Sequence, residues 1–147
     1  MRAPLSPNKH VHAEQYVANF FRSNGWSVEM QQEDSLSADL LIRHGKHRFI
    51  VEIKALSEGR PDRVLPVLSM AILQAKAAAE LSGNALPLAI IFVPEASLSL
   101  AKHVEVFAQK FAKDVPVGVI SGRGEQYFSG EAFQQLNRLP EEPSRSS

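Results

Sequence analysis

Asp39 is followed, after twelve intervening residues, by the triplet Glu52-Ile53-Lys54. Two carboxylates and an amine at that spacing can act together if the chain between them folds back on itself. Ala38–His44 and His47–Ala55 both read as strands, dense in apolar and β-branched residues. Gly45-Lys46 lies between them, and Gly in the first central position suits a two-residue type II′ turn. With the turn centred between those two residues, facing residues have numbers summing to 91. Asp39 then faces Glu52, with about 5 Å between their Cβ atoms. Lys54 lies on the same face as Glu52, because side chains alternate along a strand.

Like charges opposed across a sheet are destabilising, so this rung calls for a compensating positive charge. Lys54 is one source and a divalent cation is another. The two carboxylates and the main-chain carbonyl of Ile53 are the hard oxygen ligands that Mg²⁺ prefers, and Mn²⁺ would accept the same set. Positions would remain for water and for a substrate phosphate. A cation held there lowers the pKa of bound water and stabilises charge on a phosphoryl oxygen. Lys54 would orient the attacking water or stabilise the developing negative charge. The chemistry expected is phosphodiester hydrolysis. A Glu-x-Lys triplet on its own is equally a solvated strand face with a local ion pair.

Other elements must hold the hairpin. Ser6-Pro7 suits a helix start, Ala13, Tyr16, Val17, Phe20 and Phe21 recur at helical spacing, and Asn24-Gly25 ends the run. Trp26–Gln32 reads as a strand. The back of the hairpin, Leu40, Ile42, Phe49, Val51, Ile53 and Ala55, is nearly pure core, and Trp26, Phe20 and Phe21 are most simply core as well. On the chemical face Leu41 and Ile50 are apolar, while Arg43 and Arg48 are basic. Leu56–Leu65 reads as a loop and Pro66–Leu81 as an Ala-rich helix stopped by Ser82-Gly83. Leu86–Val93 is a continuous apolar run, as in a strand buried on both faces. Leu100, Val104, Phe107 and Phe111 mark an amphipathic helix, Val115–Ile120 a short strand, and Ser129 begins a final helix reaching about Arg138. The expectation is an α/β fold, a mixed central sheet flanked by helices.

Asp39 and Glu52-Ile53-Lys54, on a hairpin that follows a helix and a strand, resemble the PD-(D/E)XK nuclease superfamily, which includes restriction endonucleases and Holliday-junction resolvases. The resemblance implies a restriction-endonuclease-like αβββαβ core, matched here from about Pro7 to Val93, and a Mg²⁺-dependent deoxyribonuclease, most simply an endonuclease. It implies catalytic or metal-binding roles for Asp39, Glu52 and Lys54. It also implies that Glu14 in the first helix stands near the metal and that Gln74 in the helix after the Lys strand supports the site. The family's Pro before the first Asp is Ala38 here.

Arg60 and Arg63, in the loop after the triplet, are candidates for contacting DNA phosphates, though a charged loop is ordinarily just solvated. His44 and His47 flank the turn, and His10 and His12 lie two apart. Residues two apart on a helix do not face each other, and a hairpin end is normally exposed, so neither pair is read as a metal site.

The whole chain has 147 residues, with 16 Lys and Arg against 16 Asp and Glu. That balance argues against coating nucleic acid through bulk charge. The distribution is uneven: Gly25–Ile42 holds four acids and no Lys or Arg, while Arg43–Arg63 holds six bases against three acids, a local +3. The length favours one domain, read as residues 1–139, with 140–147 a solvated tail. The absence of cysteine excludes disulfides and thiolate sites. No uninterrupted apolar run approaches the ~18 residues of a membrane span, and residues 1–10 lack the apolar stretch of a secretory signal. The expected location is the cytoplasm and the expected partner is DNA, with no membrane. With no recognisable reader such as a helix-turn-helix pair or zinc finger, targeting would come from DNA structure, a homodimer or another protein. The rival reading is a catalytically silent module of the same fold that binds DNA or a protein.

Overall fold

A computed structural model of the protein describes residues 7–30, 39–130 and 133–134. The elements run α1 (Pro7–Ser23), β1 (Ser27–Met30), β2 (Leu40–His44), β3 (His47–Ala55), α2 (Pro61–Ser82), β4 (Leu86–Val93), α3 (Leu98–Phe111), β5 (Val117–Ser121) and β6 (Gln126–Phe128). The strands form one mixed sheet in the order of the chain. β1, β2 and β3 are antiparallel neighbours, β3, β4 and β5 run parallel, and β6 returns antiparallel to β5. The fold is therefore α/β, with helices on both faces.

Alternation along the strands divides the core in two. Leu40, Ile42, Phe49, Val51, Ile53, Leu88, Ile90, Phe92 and Ile120 point to one face and pack with Ala13, Val17 and Phe21 of α1. Trp26 and Phe133 join that layer, and Phe20 packs against it. On the other face Ala89, Ile91, Val93, Val117 and Val119 meet Val64, Leu68, Ala71 and Ile72 of α2 and Leu100, Val104 and Ala108 of α3. β4 gives residues to both layers, which is why its sequence is apolar throughout.

Several elements differ from the sequence expectation. α2 begins at Pro61, so Pro61–Leu65 is helical and Pro66 lies inside the helix. Pro61 takes the first position, where its missing N–H is harmless. Pro66 sacrifices one helical hydrogen bond near the end, and the burial of Val64 and Leu68 offsets it. The stop at Gly83 is as expected: it adopts φ 81° and its N–H donates to the Ala79 carbonyl. β6 is an added strand, only three residues long. Gly118 faces Phe128 across the β5–β6 pair, and the Phe128 ring fills the space where a Cβ on Gly118 would sit. Phe111, assigned to the apolar side of α3, is 71% exposed at the end of that helix.

Ser129 and Gly130 follow β6 outside any regular element. Most of the final helix expected up to Arg138, the tail at 140–147, the expected ends of the first strand at Gln31–Gln32, and Ala38 lie outside the described residues. Among the described residues α2 alone is long and apolar enough to cross a membrane. Its buried side, Val64, Leu68, Ala71, Ile72, Ala75 and Ala78, packs on the sheet, while Met70, Leu73 and Leu81 are exposed.

Candidate active site

The hairpin forms in the expected register. Leu40 faces Val51, Leu41 faces Ile50, Ile42 faces Phe49, Arg43 faces Arg48 and His44 faces His47. Gly45 has φ 65° and no other residue type takes a positive φ, so Lys46 does not, a sign pattern of a type II′ turn and not of type I′.

The regular ladder begins at Leu40, one residue after Asp39. Asp39 itself is anchored twice. Its N–H donates to the Val51 carbonyl at 3.0 Å, and its Oδ2 accepts the Ile53 N–H at 2.8 Å. The side chain thus takes a main-chain donor that the next residue of β2 would otherwise use, the competition expected of a short carboxylate. The N–H and C=O of one strand residue point to the same edge. The Ile53 carbonyl is therefore directed to the edge that carries Asp39.

Glu52 and Lys54 share the α2 side of β3. Lys54 Nζ lies 3.5 Å from Glu52 Oε2, with side chains 26% and 14% exposed. At that burial the charges are screened less than in a surface pair, and losing one partner costs more than an exposed pair would. Ala89 of β4 faces Glu52 and leaves it room. Asp39, Glu52 and the Ile53 carbonyl thus gather at one end of the β2–β3 pair, with Lys54 beside them. The donor set is all hard oxygen and fits Mg²⁺, which keeps several waters and needs only one or two protein carboxylates. Among the described residues no group of three Asp, Glu, His or Cys side chains forms a metal cluster.

The outlying candidates take varied positions. Glu14 is half-buried on α1, the helix that packs on the opposite face from α2, and it forms no three-residue cluster with Asp39 and Glu52. Gln74 is exposed on α2, one turn from Ala78. Ala78 packs against Ile50, one rung from Glu52, so Gln74 lies on the flank of α2 nearest the site. Arg60 precedes α2, paired with Asp62 at 3.0 Å and Glu58 at 3.9 Å, and Arg63 is exposed in the first turn. His44 lies against the Trp26 ring, 5.2 Å between centroids, His12 is exposed near Phe92, and the His10 side chain lies outside what is described.

A second anchored carboxylate, Glu125, had no role in the sequence reading. Its Oε1 accepts the Ala96 N–H at 3.0 Å and the Ser121 hydroxyl at 2.8 Å. These two donors, with Arg123 nearby, hold its carboxyl below the ordinary value. It ties the β5–β6 turn to the start of α3. Its only sequence signal was the Gly-rich turn around it.

Comparisons of the chain with protein-family models, with curated proteins and with solved structures give no match.

Proposed function

We propose that this protein is a metal-dependent nuclease of the PD-(D/E)XK kind that hydrolyses phosphodiester bonds in DNA. The observation that carries the reading is the pairing at one strand end of an Asp39 carboxylate locked by the Ile53 N–H with a half-buried Glu52–Lys54 pair. The succession α1, β1, β2, β3, α2, β4 agrees with a restriction-endonuclease-like αβββαβ core. Asp39, Glu52 and the Ile53 carbonyl would hold Mg²⁺ or Mn²⁺, which when bound supplies an activated water and charge stabilisation on the phosphoryl group. Lys54 lies where its ammonium can orient the attacking water and stabilise charge on the phosphate oxygens. Asp39 stays aligned through its hydrogen bond to Ile53, so the site needs little reordering when substrate arrives. Glu14 and Gln74 take the supporting roles that the resemblance implies. The setting proposed is cytoplasmic, with a homodimer or a targeting partner bringing the site to its substrate.

The test is incubation of the purified chain with plasmid and branched DNA in Mg²⁺ or Mn²⁺. Cleavage is expected, and its persistence in Asp39→Ala or Lys54→Ala would overturn the reading. The second reading, a module that binds without cutting, draws on the lack of a third acid or histidine beside Asp39 and Glu52 among the described residues. Calorimetry that detects no divalent-ion binding by the folded protein would select it.

A further inference from the structure

The face that carries Asp39 and Glu52 continues along the hairpin. Its next rung is Leu41 opposite Ile50, and the one after is Arg43 opposite Arg48. Two arginines opposed across an antiparallel pair repel each other. Among the described residues neither forms an ion pair with an acid. Glu29, exposed on the same face of β1 and diagonal to Arg43, is not within ion-pair distance. The Nε of Arg48 is buried without a hydrogen-bond partner, a desolvation cost that no group of this chain offsets. α2 packs over β3 and β4, and Ser27, Glu29 and Arg43 remain exposed beside it, so this part of the sheet is open to a ligand.

We infer that Arg43 and Arg48 form a phosphate-binding rung that holds the DNA strand across this face, a deepening of the nuclease reading on which it rests. A guanidinium fork matches the oxygens of a phosphodiester, and the anion would relieve both the repulsion and the unpartnered donor. The rung lies four residues from Asp39 on one strand and four from Glu52 on the other, about 13 Å at ~3.3 Å per residue. At a rise of ~3.4 Å per nucleotide along the duplex axis, that places the bound phosphate a few nucleotides from the cut. The two rungs, with an apolar spacer between them, fix the strand's direction over the hairpin.

The experiment measures binding of a fluorescent duplex oligonucleotide in Mg²⁺ as salt is varied, with Lys54→Gln in every chain so that the DNA is not cut. Arg43→Gln with Arg48→Gln is expected to weaken binding at least about tenfold and to flatten the slope of log K against log salt by about 2, close to one unit per lost phosphate contact. Removing an opposed like-charge pair is expected to leave the urea midpoint unchanged or raised, which a structural role for the arginines would not do. Arg43→Lys with Arg48→Lys is expected to keep most of the slope. Unchanged binding and slope in the Gln variant, or its unfolding, would overturn the assignment. If the chain with Arg43 and Arg48 intact cuts DNA under those results, the nuclease reading survives alone. If that chain neither cuts nor binds DNA, both fall together.

Discussion

The Asp39 carboxylate accepts the main-chain N–H of Ile53, the residue between Glu52 and Lys54, at 2.8 Å. One hydrogen bond thereby ends the β2–β3 ladder and fixes the first acid beside the second. Asp39→Asn retains an oxygen for Ile53 and is expected to stay folded while losing DNA cleavage by about a hundredfold or more. Asp39→Ala also strands the Ile53 N–H and is expected to cost about 1–3 kcal/mol of stability. Urea unfolding and a plasmid assay on the two variants separate the roles.

Lys54 neutralises Glu52 at 3.5 Å while both side chains are largely shielded. Lys54→Met leaves Glu52 near Asp39 without that cation, so the variant is expected to be less stable than the parent in metal-free buffer. Mg²⁺ would then substitute for the missing charge. At a metal concentration about a hundred times the Kd, binding stabilises the fold by roughly 2.7 kcal/mol. Thermal unfolding should show a larger Mg²⁺-dependent rise for Lys54→Met than for the parent. Equal responses would count against a shared metal position.

The hairpin was legible because two short-range signals agree there. Gly45 permits one turn geometry, and the apolar alternation of Leu40, Ile42, Phe49, Val51 and Ile53 fixes the register. The Asp39–Ile53 hydrogen bond was not legible, since a side chain replacing a main-chain partner leaves no periodic trace. The start of α2 was masked by Pro66, a residue that usually opens a helix and here sits inside one. β6 is too short to alternate, and its support comes from Phe128 over Gly118, a contact between strands rather than within one. The Arg43–Arg48 rung was on the page as soon as the register was, but its lack of acidic partners depends on tertiary structure.

Glu125 has a carboxyl held below its ordinary value of 4.5, chiefly by the Ala96 N–H and then by the Ser121 hydroxyl. A group whose folded pKa is depressed stabilises the fold above its unfolded pKa, and that contribution fades as pH falls through the folded value. Glu125→Gln keeps a hydrogen-bond acceptor without the charge. The difference in urea midpoint between parent and variant is expected at about pH 6 and should shrink steadily below about pH 4. A difference that stays constant over that range would assign the effect to packing.

Gly118 lies beneath the Phe128 ring and near Ile90 Cδ1. Gly118→Ala is expected to destabilise by about 1–3 kcal/mol, because the added methyl must displace an aromatic ring from a packed layer. In a Phe128→Ala background most of that penalty should disappear. A double-mutant cycle measured by urea unfolding gives the coupling directly. Near-zero coupling would remove the close approach as the reason for glycine at this position.

The sheet has little to offer a passing strand. Among the described residues its outermost members are β1, four residues long, and β6, three residues long. The exposed Glu29 puts a charge on β1 as well. Short, charged borders expose few free main-chain donors and acceptors, the groups through which sheets fuse end to end. The long apolar run of β4 lies between β3 and β5. The most aggregation-prone segment of the chain is thus enclosed by its neighbours, and fibrillar growth from the folded state lacks a template.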